Sequence, residues 1–361
     1  MSDNFLEKLS IEAARQEERE ILLKKLPKGW TGHELMTESF PPIQWAVNGL
    51  IPSGAILLSG MFKVGKSWMM LQLADCISRG KPFLGHDTNQ GKVLYLALED
   101  GPARIKGRAS KMGISISENV YIFNNWLSGI EGLTVLDAWL DKNRARLVII
   151  DTLSRWQDEF HGSDIWKRDT KRIADLKAIA DNHKNTILIV HHRSKMSRED
   201  IHQSIAGTNA LQGAADGSLI LDKKRNENKA ILSILGRDIP ESELALEFIK
   251  ENCTWRALCI DPVELTLNSE QKAILEAIRD LGGIAKVGDI AKKLEKEQSN
   301  ISHQILKLVD KGILGATGYG KYKILSPDHS IHTNHTQKDL DVTRMNTMNT
   351  MNGICEMELV S

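Results

Sequence analysis

Eight consecutive residues, Gly60-Met61-Phe62-Lys63-Val64-Gly65-Lys66-Ser67, constrain the fold of this chain more than any other feature. They complete the pattern G-x-x-x-x-G-K-[ST]; an apolar run over residues 55–59 precedes them and a helical period over residues 66–77 follows. A strand that turns through glycines straight into a helix is the setting this pattern requires. The glycines let the backbone wrap so that several N–H groups point inward and, with the helix N-terminus, hold phosphate oxygens. In such a loop Lys66 binds the β- and γ-phosphates and the Ser67 hydroxyl ligates Mg²⁺. ATP and Mg²⁺ are therefore the expected cofactors, with residues 60–67 and the adjacent Trp68 as the expected binding set.

Further runs of the same texture follow. Apolar stretches at residues 93–98, 147–150 and 186–190 alternate with amphipathic stretches at 103–112 and 173–182. Continuous apolar runs suit strands buried on both faces, and alternating strand and helix patterns imply a mostly parallel sheet covered by helices, an α/β fold. Residues 218–222, 230–235 and 244–248 read as three more strands, a meander at the sheet edge.

Carboxylates and histidines close these runs. Asp151 ends one, at the strand edge where open α/β sheets bind ligands, and is the expected partner of Mg²⁺ through its water shell. Glu99 and Asp100 end another, and the pair offers one residue for each of two jobs. Glu99 is the expected base that polarises the attacking water, and Asp100, just before Gly101-Pro102, is the expected helix cap. His191 and His192 end a third, where a polar residue can touch the γ-phosphate and report its loss. The loop after His192 carries Arg193, Lys195 and Arg198, and the loop after Asp151 carries Arg155, Trp156, Trp166, Lys167 and Arg168. Basic residues interleaved with aromatics suit contact with single-stranded DNA, although Asp158, Glu159, Asp164, Glu199 and Asp200 dilute them toward an ordinary solvated surface.

Taken together, Phe40-Pro-Pro-Ile-Gln-Trp45, Gly49-Leu-Ile-Pro-Ser-Gly54, the phosphate loop, Pro82-Phe-Leu-Gly85 and Tyr95-Leu-Ala-Leu-Glu-Asp100 resemble the AAA_25 group, RecA-like ATPases similar to the plasmid RepA hexameric helicases. Ile149-Ile-Asp-Thr152, His191-His-Arg-Ser-Lys195, Gly207-Thr-Asn-Ala-Leu211 and Gly236-Arg-Asp238 agree, so the likeness spans residues 40 to 260. It implies an ATPase working as a homo-oligomer, a hexameric ring or a filament, with each site completed by a neighbour's basic finger. Lys66, Ser67, Glu99, Asp151 and His192 match family positions. RepA-type helicases carry an Arg shortly after the Gly-Thr block, where this chain has Ala215-Asp216-Gly217, so Arg237 becomes the candidate finger.

Beyond residue 265 the pattern changes to three helices (269–281, 287–294, 299–311) and two short strands around a Gly-rich turn, the layout of a winged helix-turn-helix. Gln298, Ser299, Asn300, Ser302 and His303 on its third helix, with Lys321 on the wing, are side chains of the kind that reach duplex DNA. Residues 265–325 hold ten Lys and Arg against seven Asp and Glu, a mild basic bias, and protein contact is the alternative use. Four segments are expected: a helical arm over 1–39, the ATPase domain over 40–262, the winged helix over 266–325, and a disordered tail over 326–361.

The 361 residues carry no net charge, so no overall field points to nucleic acid or membrane. The cysteines, Cys76, Cys253, Cys259 and Cys355, have no zinc spacing, which suits a reducing cytoplasm. No apolar stretch approaches the roughly 18 residues a membrane span needs. Three functions remain in view: a DNA motor such as a replicative helicase, an ATP-gated DNA-binding regulator, and an assembly ATPase that does not unwind DNA.

Overall fold

The computed structural model describes residues 15–26, 29–156, 165–192, 211, 213–224, 227–318 and 320–325. The chain divides into two units, Met1–Ile43 and Gln44–Ser361. In the first, residues 15–23 (α1) and Gly32–Thr37 (α2) are helical. Thr31 and Glu34 cap α2 reciprocally, and every described residue of this unit is exposed, including Ile21, Leu22, Leu23 and Leu26. Residues 1–14 of the expected arm lie outside the described residues, as does the tail expected from 326.

The second unit opens on a small hairpin, β1 (Trp45–Val47) and β2 (Ile51–Pro52). The units β3 (Gly54–Gly60)–α3 (Lys66–Arg79), β4 (Val93–Ala97)–α4 (Pro102–Met112), β5 (Val120–Phe123)–α5 (Gly129–Asn143) and β6 (Leu147–Asp151)–α6 (Ile165–His183) then lead to β7 (Thr186–His192). A meander of β8 (Gly217–Lys223), β9 (Lys229–Gly236), β10 (Ser242–Ile249) and β11 (Thr254–Ala257) completes a nine-stranded sheet in the order β11-β10-β9-β8-β3-β7-β6-β4-β5. Pairing is parallel from β5 to β8 and antiparallel from β8 to β11.

Burial on both faces explains the uninterrupted apolar runs. Ile56, Leu58, Tyr95, Ile149, Leu188 and Val190 pack with Met69, Leu73 and Ile77 of α3 and Ile105 of α4. Their neighbours Ala55, Leu57, Leu94, Leu96, Val148, Ile150 and Ile189 pack on the other face with Leu136 and Leu140 of α5 and Ile173 and Leu176 of α6. Because side chains alternate with period two, Asp151 and His192 fall in step with Ile149 and Val190, on the α3 face.

Several elements escape sequence reading, among them the hairpin β1–β2 and β11, the fourth strand of a meander read as three. β5 and α5 form the far edge of the sheet, where a four-residue strand with one neighbour is only partly buried and shows no strong apolar signature. α6 begins at Ile165, so Trp166, Lys167 and Arg168 belong to a helix and not to the loop expected there. Trp156 follows a 3₁₀ turn (Leu153–Arg155) and is buried in the second core at 5% exposure, which removes it as a base-stacking platform.

After a short α7 (Pro262–Leu265), the expected winged helix over 266–325 comprises α8 (Ser269–Asp280), β12 (Ile284–Lys286), α9 (Val287–Leu294), α10 (Gln298–Asp310), β13 (Leu314–Gly318) and β14 (Lys321–Ile324). Asn268 and Gln271 form a capping box on α8. Ile274, Ile278, Ile290, Ile301, Ile305 and Leu308 form a separate core. The wing has a third strand, β12, whose three residues pair with β14 and are too few to show a period in the sequence.

Asp216 ties the start of β3 to α6. Its carboxylate accepts the Ala55 N–H at 3.0 Å and the Lys177 ammonium at 2.5 Å, while its own N–H donates to the Ala55 carbonyl at 2.8 Å. Asp216→Ala leaves a buried donor without an acceptor and should cost about 1–3 kcal/mol. The expected result is a lower thermal midpoint by calorimetry with an unchanged circular dichroism spectrum.

Candidate functional site

The loop between β3 and α3 needs its glycines for space. A Cβ on Gly60 would meet the Leu221 carbonyl oxygen of β8 at 2.7 Å. Gly65, at φ 108°, has the Trp255 ring where its Cβ would stand, at 3.0 Å, and Trp255 Nε1 donates to the Gly65 carbonyl at 3.2 Å. The Gln72 side chain of α3 bonds the Trp255 backbone at both its N–H (2.8 Å) and its carbonyl (2.9 Å), so edge strand β11 braces the loop from outside.

Inside the loop, the buried Lys66 ammonium donates to the carbonyls of Gly60 (2.7 Å) and Met61 (2.9 Å) and to His192 Nδ1 (3.0 Å). Burial depresses its pKa to about 8, against the opposing pull of Asp151 and Glu99. Asp151 is buried; its carboxylate accepts the Tyr95 hydroxyl at 3.0 Å and faces the Ser67 hydroxyl. Burial raises its pKa, and the bonds from Ser67 and Tyr95 work the other way. Glu99 Oε1 accepts the Thr152 hydroxyl at 2.9 Å and lies 4.0 Å from Arg155 Nε and 3.7 Å from His192 Nε2. The Phe62 ring stacks on the His192 imidazole with centroids 4.1 Å apart. Burial, then the Lys66 charge, lower the His192 pKa, and its Nε2 is buried without a hydrogen-bond partner. The 3.7 Å gap to Glu99 exceeds hydrogen-bond length. A phosphate oxygen can accept from Nε2, and a water can accept from Nε2 and donate to Glu99, so the residues present fit a nucleotide with its attacking water.

Four residues picked out in the sequence, Lys66, Glu99, Asp151 and His192, thus meet at one end of the sheet, with Ser67 beside them. Asp100 takes a different part. The α4 N-cap is Gly101, with Pro102 at the first helical position, and no side chain caps it. The buried Asp100 carboxylate instead binds Arg104 at 2.9 Å and also Arg108, because two guanidinium groups one and two turns into α4 attract it more than a helix end already short of one N–H. Arg108 also lies over the Trp68 ring, 5.3 Å from its centroid. Sequence reading missed Tyr95, Thr152, Arg108 and Trp255; only Thr152 and Tyr95 carried a signal, by adjacency and by period.

Arg237 lies at the other end of the sheet. Gly236 pairs with Gly217, which pairs with Ile56, four residues down β3 from Gly60 and so about 13 Å from it. Its guanidinium donates to the Gly213 carbonyl at 2.9 Å, and the same subunit's loop is out of its reach. Arg193, Lys195 and Arg198 lie outside the described residues. On α10, Gln298, Ser299, Asn300 and His303 are exposed, as is Lys321 on the wing. Ser302 is half-buried and its hydroxyl donates to the Gln298 carbonyl at 2.8 Å.

A family model described as an AAA domain, AAA_25, matches residues 18–198. The chain belongs to the AAA_25 family. Its core is a RecA-like P-loop ATPase domain. A second model, described as a bacterial regulatory protein of the arsR family, matches residues 268–315. Among curated proteins, the DNA repair protein RadA of Helicobacter pylori is 27% identical over 208 residues, 56% of this chain and 41% of that protein. RadA of Aquifex aeolicus is 29% identical over 122 residues, 34% of this chain and 24% of that protein. The AAA_25 chain therefore spans about two fifths or less of the length of these relatives. The crystal structure of the RadB recombinase is similar at TM-score 0.43 and 17% identity, covering 58% of this chain and 92% of that one.

Only the charged form of Lys66 attracts phosphate, and in the free site that form is half lost near pH 8. Bound phosphate raises the lysine pKa, so affinity should fall as pH rises above about 8, approaching tenfold per unit. Titration of a fluorescent ADP analogue from about pH 7 to about pH 9.5 checks this; Lys66→Met should bind weakly with that dependence gone.

Proposed function

We propose that this chain is an ATP-hydrolysing motor that works on DNA as a homo-oligomer, of the kind that drives a replicative helicase. The observation that carries the reading is the convergence of Lys66, Glu99, Asp151 and His192 on one side of the phosphate loop, with the His192 Nε2 donor buried and unsatisfied.

In the proposed cycle, Lys66 exchanges the carbonyls of Gly60 and Met61 for the phosphates of ATP. Mg²⁺, when bound, neutralises charge on those phosphates, and Ser67 and Asp151 are the residues that would hold it. Glu99, steadied through Oε1 by Thr152, orients the attacking water and takes its proton. His192 donates from Nε2 to the terminal phosphate and transmits its loss to the segment beyond. Arg237, remote from its own subunit's loop, serves a neighbouring copy. Division of labour follows the segments 1–39, 40–262 and 266–325, with DNA held by the winged helix and by the basic segment after His192. The names of the RadA relatives, DNA repair proteins, support work on DNA.

A second reading has its own observation. The arsR-family match over residues 268–315 favours an ATP-gated DNA-binding regulator in which the winged helix selects duplex sequence and no strands are unwound.

Lys66→Ala should abolish turnover, and Glu99→Gln should preserve nucleotide binding while slowing hydrolysis by about 10²-fold or more. Near-normal turnover in Glu99→Gln removes it from the base role. A motor shows hydrolysis stimulated by single-stranded DNA and unwinding of a forked duplex. A regulator shows slow turnover and sequence-selective duplex binding that is lost on deleting residues 266–325.

A further inference from the structure

Phe62 lies in the expected binding loop, yet its side chain joins neither core. The residue is 62% exposed, but its ring lies on the His192 imidazole with planes 21° apart and centroids 4.1 Å apart. We propose that Phe62 is a positioning residue that holds the His192 ring with Nε2 aimed at the terminal phosphate, both while Nδ1 is bonded to Lys66 and after that bond is given up to ATP. The inference rests on the hydrolysis reading above and adds to it a residue particular to this loop.

The torsion that turns an imidazole about its Cβ–Cγ bond is broad and roughly two-fold, so a histidine at a strand end does not hold its ring by itself. Here the nitrogens have different duties. The Lys66 ammonium has no acceptor capacity and donates to Nδ1 at 3.0 Å, which assigns the proton of the neutral ring to Nε2. Nε2 is buried with no partner, and Glu99 at 3.7 Å is too far to accept from it. A ring with one donor unmet gains by turning toward water unless something flat covers it. Phe62 is that cover, in the near-parallel geometry that aromatic pairs favour when offset.

The stack matters most after ATP has entered. Once Lys66 turns to the phosphates, His192 loses its bond at Nδ1, and Phe62 is the remaining restraint on the ring as Nε2 meets the phosphate. Loss of the stack therefore weakens the chemical step and leaves nucleotide binding, a matter of loop backbone and Lys66, largely intact.

The test is steady-state ATP hydrolysis by the full chain carrying Phe62→Ala, Phe62→Leu or Phe62→Tyr, each alone and combined with His192→Ala. Phe62→Ala and Phe62→Leu should lower kcat about three- to tenfold, the range that loss of one aromatic pair supplies, with KM within about twofold. Phe62→Tyr should restore kcat, and no Phe62 change should matter further once His192 is Ala. Leucine working as well as tyrosine, a loss confined to KM, or an equal loss in the His192→Ala background overturns the inference and leaves Phe62 a packing residue of the loop. Parent turnover that is indifferent to every Phe62 change overturns this inference alone. A parent chain with no hydrolysis that Lys66→Ala removes overturns the hydrolysis reading, and this one with it.

Discussion

A buried ammonium governs the site. Lys66 sits at 4% exposure, and a charge so placed persists only if its hydrogens are taken up. Two loop carbonyls and one imidazole nitrogen take them, which closes the turn between β3 and α3 around the lysine. Everything else in the site is arranged about that charge. Asp151 and Glu99 supply the negative field that keeps it protonated, and His192 is pushed toward neutrality partly by the same charge. The lysine is thus held with bonds that phosphate oxygens can replace one for one.

The sheet makes that arrangement possible by simple alternation. β4, β6 and β7 each deliver one polar residue at or just past their ends, and the period of two turns Asp151 and His192 to the face that α3 covers. The opposite face receives α5 and α6 and is sealed by Leu136, Leu140, Ile173 and Leu176. A shallow hollow between α5 and α6, lined by Leu133, Asp137, Ile179 and Asn182, lies on that second side and shares no residue with the nucleotide loop.

How much was legible in the sequence follows from the same physics. Strands such as β3 and β6, buried at every position, read as continuous apolar runs, and the glycine pattern announced the turn between β3 and α3. Glu99, Asp151 and His192 could be picked out because they stand at run ends, and Lys66 by its place in the glycine pattern. Edge elements could not be read, since β5 buries too little of itself to set a pattern. Nor could partner choice: Asp100 looks like a cap until Arg104 and Arg108 are seen one and two turns along the same helix. Trp156 looks like an exposed platform because nothing in its neighbourhood tells of a 3₁₀ turn tucked into the core. Composition tells which side chains are available, and only three-dimensional closure tells which find each other.

The brace on Gly65 has a mechanical side. Trp255 belongs to β11, which is paired to β10, and α7 packs against β9 and β10. The meander is thus a common footing: the phosphate loop leans on its outer strand, and the short α7 that leads into the winged helix packs on its inner ones. The shape of the phosphate loop is set partly by an edge strand that lies 190 residues further along the chain.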